Sequence, residues 1–203
     1  PAPPRVLIIG DSISLGYTPF VKEMLKDKAE VLHAPGNNQS TEFALPNIDR
    51  WLGKERWNVI HFNFGLHDVK YIDAQTKLVD VSAGKQWVPL ETYEKNLTEI
   101  VQRLKKTGAH LIWGSTTPIP EGVKGRVPGD EVRFNAVALK IMQTEGITVN
   151  DLHTFVGNPE KRKALGGKDK DVHYTDSGSK QLAAIVSTAI EKKLPASIQN
   201  SKP

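Results

Sequence analysis

The 203-residue sequence predicts an α/β protein in which a doubly wound parallel sheet of about five strands lies between layers of helices. Short apolar runs bounded by turn residues recur along the chain, and segments with apolar residues at helical spacing lie between them. This alternation is typical of βαβ units. Hydrophobic residues make up 38% and charged residues 25%, as in ordinary globular proteins. The length suits one continuous core, so we expect a single domain over residues 1–203.

Each predicted strand ends in small or polar residues. The carboxyl ends of parallel strands meet at one edge of a doubly wound sheet, where ligands bind. We therefore expect the functional site at that edge. The predicted strands are Arg5–Ile9, Glu30–Ala34, Val59–Phe64, Ala109–Gly114 and a weaker one at Ile147–Asn150.

Helical spacing predicts the elements between the strands. In the clearest case Leu97, Ile100, Val101 and Leu104 fall on one helix face. The segment Tyr71–Pro89 has no sustained period, and we expect it to cross the surface beside the substrate cleft. The predicted helices are Thr18–Lys28, Glu42–Leu52, Leu90–Lys106, Glu131–Thr144 and Ser177–Lys193.

Charge and composition exclude several classes of protein. The net charge is +4 with scattered basic residues, which argues against nucleic-acid binding, and no apolar run is long enough to cross a membrane. The absence of cysteine excludes disulfides, thiolate metal sites and cysteine nucleophiles. We find neither an HExxH pattern nor a phosphate-binding GxxxxGK[ST] loop, and expect no metal and no cofactor. The sequence begins with Pro1 rather than Met, which fits a removed signal peptide, so we favour a periplasmic or secreted location.

A serine follows the first strand in a setting that suits a nucleophile. A strand, a polar turn and a helix would present Ser12 at a helix N-terminus, where backbone N–H groups favour negative charge. The alternative is an ordinary turn in which Asp11 or Ser12 caps the helix. A serine hydroxyl is a poor nucleophile without a base, so the first interpretation requires a histidine.

Of the six histidines, His173 is the best placed to be that base. It lies just before the last predicted helix, where a loop returns to the same sheet edge. His33 and His61 lie in strand-like runs, where packing is expected, and His110 begins another strand. His153 lies in a predicted loop with no paired carboxylate in its local pattern.

The chain contains four short motifs, in this order: Gly10-Asp11-Ser12-Ile13, Gly36, Gly65-Leu66-His67-Asp68 and Asp171-Val172-His173. Their types and their order resemble those of SGNH/GDSL hydrolases over nearly the whole chain. The resemblance implies the three-layer α/β/α, flavodoxin-like fold of that family, with a five-stranded parallel sheet, and the activity of a serine esterase.

The resemblance also implies a role for each motif. Ser12 attacks an ester carbonyl, and His173 takes its proton and passes it to the leaving alcohol. The oxyanion hole uses the backbone N–H groups of Ser12 and Gly36 together with a side chain from the third motif. Asp68 is expected to be structural.

Two departures from the family pattern leave alternatives open. The third motif has His67 where the family usually has asparagine, so either an imidazole N–H is the third oxyanion donor or one of three nearby asparagines replaces it. The family places an aspartate three residues before the histidine, where this chain has Lys170. Asp171 is our first candidate for the orienting acid and Asp169 the second, with a dyad held by a backbone carbonyl as the third alternative. The three asparagines are Asn37, Asn38 and Asn63.

The sequence says least about the substrate. Polar and aromatic residues near the predicted cleft suit a sugar, and a histidine in the third motif resembles family members associated with carbohydrate deacetylation. We therefore expect an O-acetylesterase acting on a glycan or small-molecule ester, with no nucleic acid or membrane partner. The first alternative is a lipid or thioester esterase that uses the same residues. The second is a carbohydrate-binding module that is inactive because Lys170 and His67 replace the usual catalytic residues. The cleft residues are Asn37, Asn38, Gln39, Asn63, Tyr71, Trp87 and Trp113.

Overall fold

The computed structural model describes residues 2–195, in which one parallel sheet lies between two helix layers. The expected domain, residues 1–203, extends outside the described residues at both ends, and Pro1 lies outside them. The strands of the main sheet are β1 (Arg5–Ile9), β2 (Glu30–His33), β3 (Val59–Phe62), β6 (His110–Gly114) and β7 (Thr148–Asn150). The helices are α1 (Ser12–Met24), α2 (Thr41–Ala44), α3 (Ile48–Leu52), α4 (Leu90–Lys105), α5 (Asp130–Glu145), α6 (Leu152–Val156), α7 (Pro159–Ala164) and α8 (Asp176–Glu191).

The strand order β2-β1-β3-β6-β7, with every pair parallel, confirms the predicted doubly wound sheet. The chain runs outward from β1 to β2 and then returns to place β3 on the other side of β1. This reversal forms the crevice in which ligands bind in such sheets. Strand β3 is buried throughout, as expected for a strand covered on both faces.

Helices α1 and α8 pack together on one face of the sheet, and α4 packs against α2, α3 and α5 on the other. The four predicted apolar residues of α4, from Leu97 to Leu104, are fully buried. At roughly 1.5–3 kcal/mol for each buried side chain, this stripe fixes α4 against the sheet.

Four helical segments differ from the predictions. Helix α1 begins at Ser12 rather than Thr18, because the Asp11 carboxylate caps it by accepting a hydrogen bond from the Ile13 N–H. The predicted helix Glu42–Leu52 is two short helices, because Pro46 between them has no N–H with which to continue the first. The short helices α6 and α7 were not predicted.

The segment 71–89 crosses the surface as expected, but it contains a small antiparallel hairpin of β4 (Tyr71–Ile72) and β5 (Lys85–Gln86) with a 3₁₀ turn at Val81–Ala83. The Tyr71 N–H donates to the Gly125 carbonyl at 2.8 Å, which ties the hairpin to the 120s loop. Leu78 of this segment lines the cavity that contains Ser12. The segment therefore flanks the cleft, as predicted.

Candidate active site

A cavity of about 430 Å³ contains side chains from both ends of the chain. Ser12 comes from the end of β1, His67 from the loop after β3 and His173 from the loop before α8. Residues separated by up to 161 positions thus meet at the carboxyl edge of the sheet. This is the edge at which the sequence predicts the functional site.

Ser12, His173 and Asp171 form a continuous hydrogen-bonded chain. The Ser12 Oγ lies 2.8 Å from the His173 Nε2, and the His173 Nδ1 lies 2.5 Å from the Asp171 Oδ1. A carboxylate can only accept, so the ring proton belongs on Nδ1 and Nε2 accepts from the hydroxyl. This tautomer can take the serine proton.

Ser12 is the first residue of α1, a position that follows from the Asp11 cap. The first N–H groups of a helix have no partner within the helix and carry its partial positive charge. The Ser12 N–H is therefore available to an oxyanion formed at its own side chain. Asp11 caps the helix, as the alternative interpretation proposed, but this cap also sets the position of Ser12.

Of the two candidate acids, Asp171 contacts the imidazole. Its Oδ1 also accepts from the His173 backbone N–H at 3.1 Å, so two donors converge on one oxygen. Burial by itself would raise the pKa of Asp171, but its hydrogen bonds with His173 outweigh burial and hold the pKa below its ordinary value. Asp169 lies on a different cavity. Lys170, at the family's usual acid position, has a left-handed φ of 47°.

Arg162 holds the loop that carries this acid and base, and sequence reasoning missed it. Its buried guanidinium donates to the carbonyls of Lys168 at 2.9 Å, Asp171 at 2.6 Å and His173 at 3.2 Å. One planar side chain thus satisfies three backbone acceptors of an irregular segment. A buried arginine in a short helix gives no periodic signal in the sequence.

His67 lies in the cavity as a neutral imidazole. Burial lowers its pKa to about 3, and the charges of Lys70 and Arg126 act in the same direction. The Lys70 ammonium lies 3.4 Å from the His67 Nδ1, which can accept from it and leave the proton on Nε2. His67 can therefore donate an N–H from Nε2 across the ordinary pH range. The next residue, Asp68, is buried, and its Oδ1 accepts from the Thr41 N–H at 2.9 Å and hydroxyl at 2.6 Å.

Of the three asparagines considered as donors, Asn37 alone lines the cavity. Asn38 is fully buried and accepts from the Gly10 N–H, and Asn63 donates to the Gly114 carbonyl. Gly36 is exposed in a left-handed turn with φ 73° and is not among the residues that line the cavity. Its part in an oxyanion hole remains a prediction.

A second serine–histidine contact lies beneath the first. The Ser14 Oγ is 2.7 Å from the His33 Nε2, and the His33 Nδ1 is 2.5 Å from the Ala34 carbonyl. Ser14 is 2% exposed, whereas Ser12 lines the open cavity. An ester can therefore reach Ser12 and not Ser14.

The other predicted packing histidine, His61, is fully buried, and its Nε2 accepts from the Asn150 side chain at 3.0 Å. Burial lowers its pKa to about 3, so it is neutral. The His153 Nε2 lies 3.6 Å from the Glu131 Oε1. This carboxylate belongs to α5, which explains why the local sequence pattern showed none.

The aromatic residues expected near the cleft lie elsewhere or act indirectly. Trp113 is 1% exposed in the core. Trp87 stacks under the Lys70 ammonium, 4.1 Å from its ring centroid, and neither Trp87 nor Tyr71 lines the cavity. These residues no longer support a sugar substrate.

Within residues 2–195, no cluster of three or more histidine or carboxylate side chains could hold a metal ion. None of the helices in this part of the chain is long and apolar enough to span a membrane.

The sequence matches the GDSL-like lipase/acylhydrolase family over residues 8–181, and the chain belongs to that family. Its members are carboxylic ester hydrolases, which agrees with the serine and histidine found at the cavity. No curated protein matches the chain significantly in sequence.

Solved structures share the fold at low sequence identity. An acetyl xylan esterase, AlAXEase, is 20% identical with a TM-score of 0.73, covering 92% of this chain and 99% of its own. A lipase/acylhydrolase from Enterococcus faecalis is 17% identical with a TM-score of 0.76, covering 95% and 97%. An α/β hydrolase from the metagenome of Lake Arreo, Spain, is 15% identical with a TM-score of 0.74, covering 93% and 95%.

Proposed function

We propose that this protein is a serine esterase that works through an acyl-enzyme, with Ser12 as nucleophile, His173 as general base and Asp171 as the orienting acid. The observation that carries the proposal is the unbroken series of contacts from the Ser12 Oγ through the imidazole to the Asp171 carboxylate, at 2.8 and 2.5 Å. These contacts lie at an open cavity that an ester can enter.

The contacts indicate the donor and the acceptor of each proton transfer. The Ser12 proton passes to the His173 Nε2 as its Oγ attacks the ester carbonyl, and Asp171 stabilises the imidazolium that forms. The Ser12 N–H and the His67 Nε2–H donate to the oxyanion, and Gly36 is the predicted third donor. The imidazolium then protonates the leaving alcohol, and a water molecule that His173 deprotonates in turn releases the acid.

We further propose that the acyl group is acetyl and that the alcohol is a carbohydrate. Most of the residues that line the cavity carry a charged or polar group that can bind a polar alcohol, although apolar atoms form the larger part of its surface. The fold shared with an acetyl xylan esterase supports the same assignment.

The test compares wild type, Ser12→Ala and His173→Ala for acetate release from 4-nitrophenyl acetate and from a panel of acetylated glycans. Both substitutions should lower turnover by several orders of magnitude without unfolding the protein, because the two groups act as a unit. Ser14→Ala is the matched control, since it removes a neighbouring buried serine that an ester cannot reach. It should retain activity within about tenfold, because its loss removes a hydrogen bond to the Asp11 carbonyl and a contact with the partly buried His33 imidazole, at a cost of roughly 1–3 kcal/mol in stability.

Equal rates in wild type, Ser12→Ala and His173→Ala would overturn the esterase assignment. Hydrolysis that rises steadily from acetyl to octanoyl 4-nitrophenyl esters would overturn the acetyl assignment and favour the lipid or thioester alternative. Glycan binding without release of acetate from any ester would favour a binding module.

A further inference from the structure

The cavity that contains Ser12 is lined by basic side chains that have no role in the proposed ester hydrolysis. Four basic side chains line it, from three separate loops, whereas the carboxylates that line it are Asp11 and Asp171. Asp11 caps α1 and Asp171 bonds His173, so neither is paired with one of the four cations. The basic residues are Lys70, Lys124, Arg126 and Lys170.

Arg126 is the most firmly held of the four. Its Nε donates to the Leu66 carbonyl at 2.8 Å, which fixes the plane of the guanidinium beside the third motif. Within residues 2–195 its terminal nitrogens have no hydrogen-bond or ion-pair partner, and Asp11 and Asp171 act on it only at longer range. A fixed guanidinium with free N–H groups has the geometry that binds a carboxylate, sulfate or phosphate through two hydrogen bonds.

Lys70 adds a second fixed charge on the same side of the cavity. Its ammonium stacks on the Trp87 ring, and no carboxylate in the described part of the chain lies within ion-pair distance of it. Burial, with a smaller contribution from the charge of Arg126, lowers the pKa of Lys70 to about 8 against the opposing effect of Asp68. Two neighbouring cations that repel each other and have no directly paired carboxylate destabilise the fold, and such arrangements are characteristic of binding sites for anions.

We propose that the ester substrate carries an anionic group, a carboxylate, sulfate or phosphate, that pairs with Arg126 while the ester carbonyl lies at Ser12. This inference rests on the proposed esterase function and narrows its substrate from acetylated glycans in general to esters of acidic sugars. Lys70 strengthens the attraction, and the exposed Lys124 and Lys170 steer the anion towards the cavity.

The test uses two pairs of esters, each with an anionic and a neutral member, and the uncatalysed rate of every ester is subtracted because the succinyl side chains can attack their own ester. 4-Acetoxybenzoate and 4-acetoxybenzamide place the charge on the alcohol side of an acetyl ester. 4-Nitrophenyl hemisuccinate and 4-nitrophenyl succinamate place it on the acyl side. For each pair, the ratio of kcat/KM for the anionic member to that for the neutral member is measured in wild type, Arg126→Gln, Arg126→Lys and Lys163→Gln. Lys163→Gln is the matched control, because it removes an exposed positive charge that lines a different cavity.

Wild type should favour the anionic alcohol by at least about tenfold, as expected for one charge-assisted hydrogen-bonded pair. Arg126→Gln should lower the ratio by about tenfold to a hundredfold, Arg126→Lys should restore part of it, and Lys163→Gln should leave it unchanged. The ratio should also fall between 50 and 500 mM salt, because mobile ions screen the attraction. Since the ratio is taken within one variant, partial loss of folded protein does not affect it.

A ratio near one in both pairs for wild type, or an equal ratio in wild type and Arg126→Gln, would overturn the proposed anion site. A preference confined to the hemisuccinate pair would support pairing with Arg126 but overturn acetyl as the acyl group. Failure of the esterase assignment itself is a separate result, namely that neither neutral ester is hydrolysed in a manner that depends on Ser12.

Discussion

The carboxylate of Asp171 gives the sharpest prediction, because its charge and its hydrogen bonds can be removed separately. Two donors, the ring Nδ1–H and the backbone N–H of His173, converge on its Oδ1. In Asp171→Asn the amide oxygen should keep that position, since the NH₂ group would otherwise face both donors. The imidazole should therefore keep its tautomer and lose only the negative charge that stabilises the imidazolium.

The cost of that charge follows from its surroundings. The two side chains are 42% and 41% exposed. Unit charges about 4 Å apart interact by about 4 kcal/mol at an effective dielectric constant near 20, and by about 1 kcal/mol in water. Half-exposed groups lie between these limits, so we expect a loss of about 2 kcal/mol, or roughly 30-fold in kcat. Asp171→Ala also frees the ring to rotate and should cost about 10⁴-fold.

The assay is the steady-state hydrolysis of 4-nitrophenyl acetate, with kcat and KM measured separately. Asp169→Asn is the matched control and should stay within about twofold of wild type, because that side chain lies on a different cavity. The reasoning would be refuted if Asp171→Asn lost as much activity as Asp171→Ala. It would also be refuted if Asp169→Asn showed the larger loss.

Three further predictions concern buried polar groups. Burial raises the pKa of Asp68 to about 7 despite its bonds from Thr41, so the folded state holds a proton that the unfolded state releases near pH 4. The free energy of unfolding of wild type should therefore fall by about 3 kcal/mol more than that of Asp68→Asn between pH 4 and 7, and parallel urea-unfolding profiles would refute this. Arg162→Met unpairs three loop carbonyls and should lower Tm by several degrees and kcat by at least tenfold. Arg162→Lys should restore part of both, and an unchanged Tm and kcat in Arg162→Met would mean that Arg162 does not hold the catalytic loop. His67→Ala should lower kcat by about 10²-fold, as for loss of one oxyanion donor, whereas His67→Gln, which keeps an N–H, should lose less. Burial holds the pKa of His67 near 3. The ratio of kcat in wild type to kcat in His67→Ala should therefore stay constant from pH 5 to 8, and a ratio that varies would mean that His67 titrates in this range.

The parts of the site that follow strands could be predicted from the sequence. Ser12 follows β1 and His173 lies in the loop before α8. Both could be assigned to the same edge, because the carboxyl ends of parallel strands and the loops that follow them lie at one edge of the sheet. The sequence pattern could not choose between Asp169 and Asp171, since two residues of an irregular loop point in directions that only its backbone fixes.

The basic lining of the cavity could not be predicted for a related reason. Arg126 and Lys124 come from a loop without periodicity, and Lys70 faces the cavity because Trp87, seventeen positions later, stacks under it. In the sequence the basic residues are scattered, and this pattern gives no sign of a cluster. Only the path of the loops shows that four of them surround one cavity.

Covalent labelling of Ser12 tests the central claim most directly. Wild type, Ser12→Ala, Ser14→Ala and His173→Ala are treated with a fluorophosphonate at pH 7.5, and the adduct is measured by intact mass and mapped by peptide sequencing. We predict one adduct, on Ser12, in wild type and Ser14→Ala, none in Ser12→Ala, and labelling slowed by at least a hundredfold in His173→Ala. An adduct on another residue, or equal labelling rates in wild type and His173→Ala, would contradict the account.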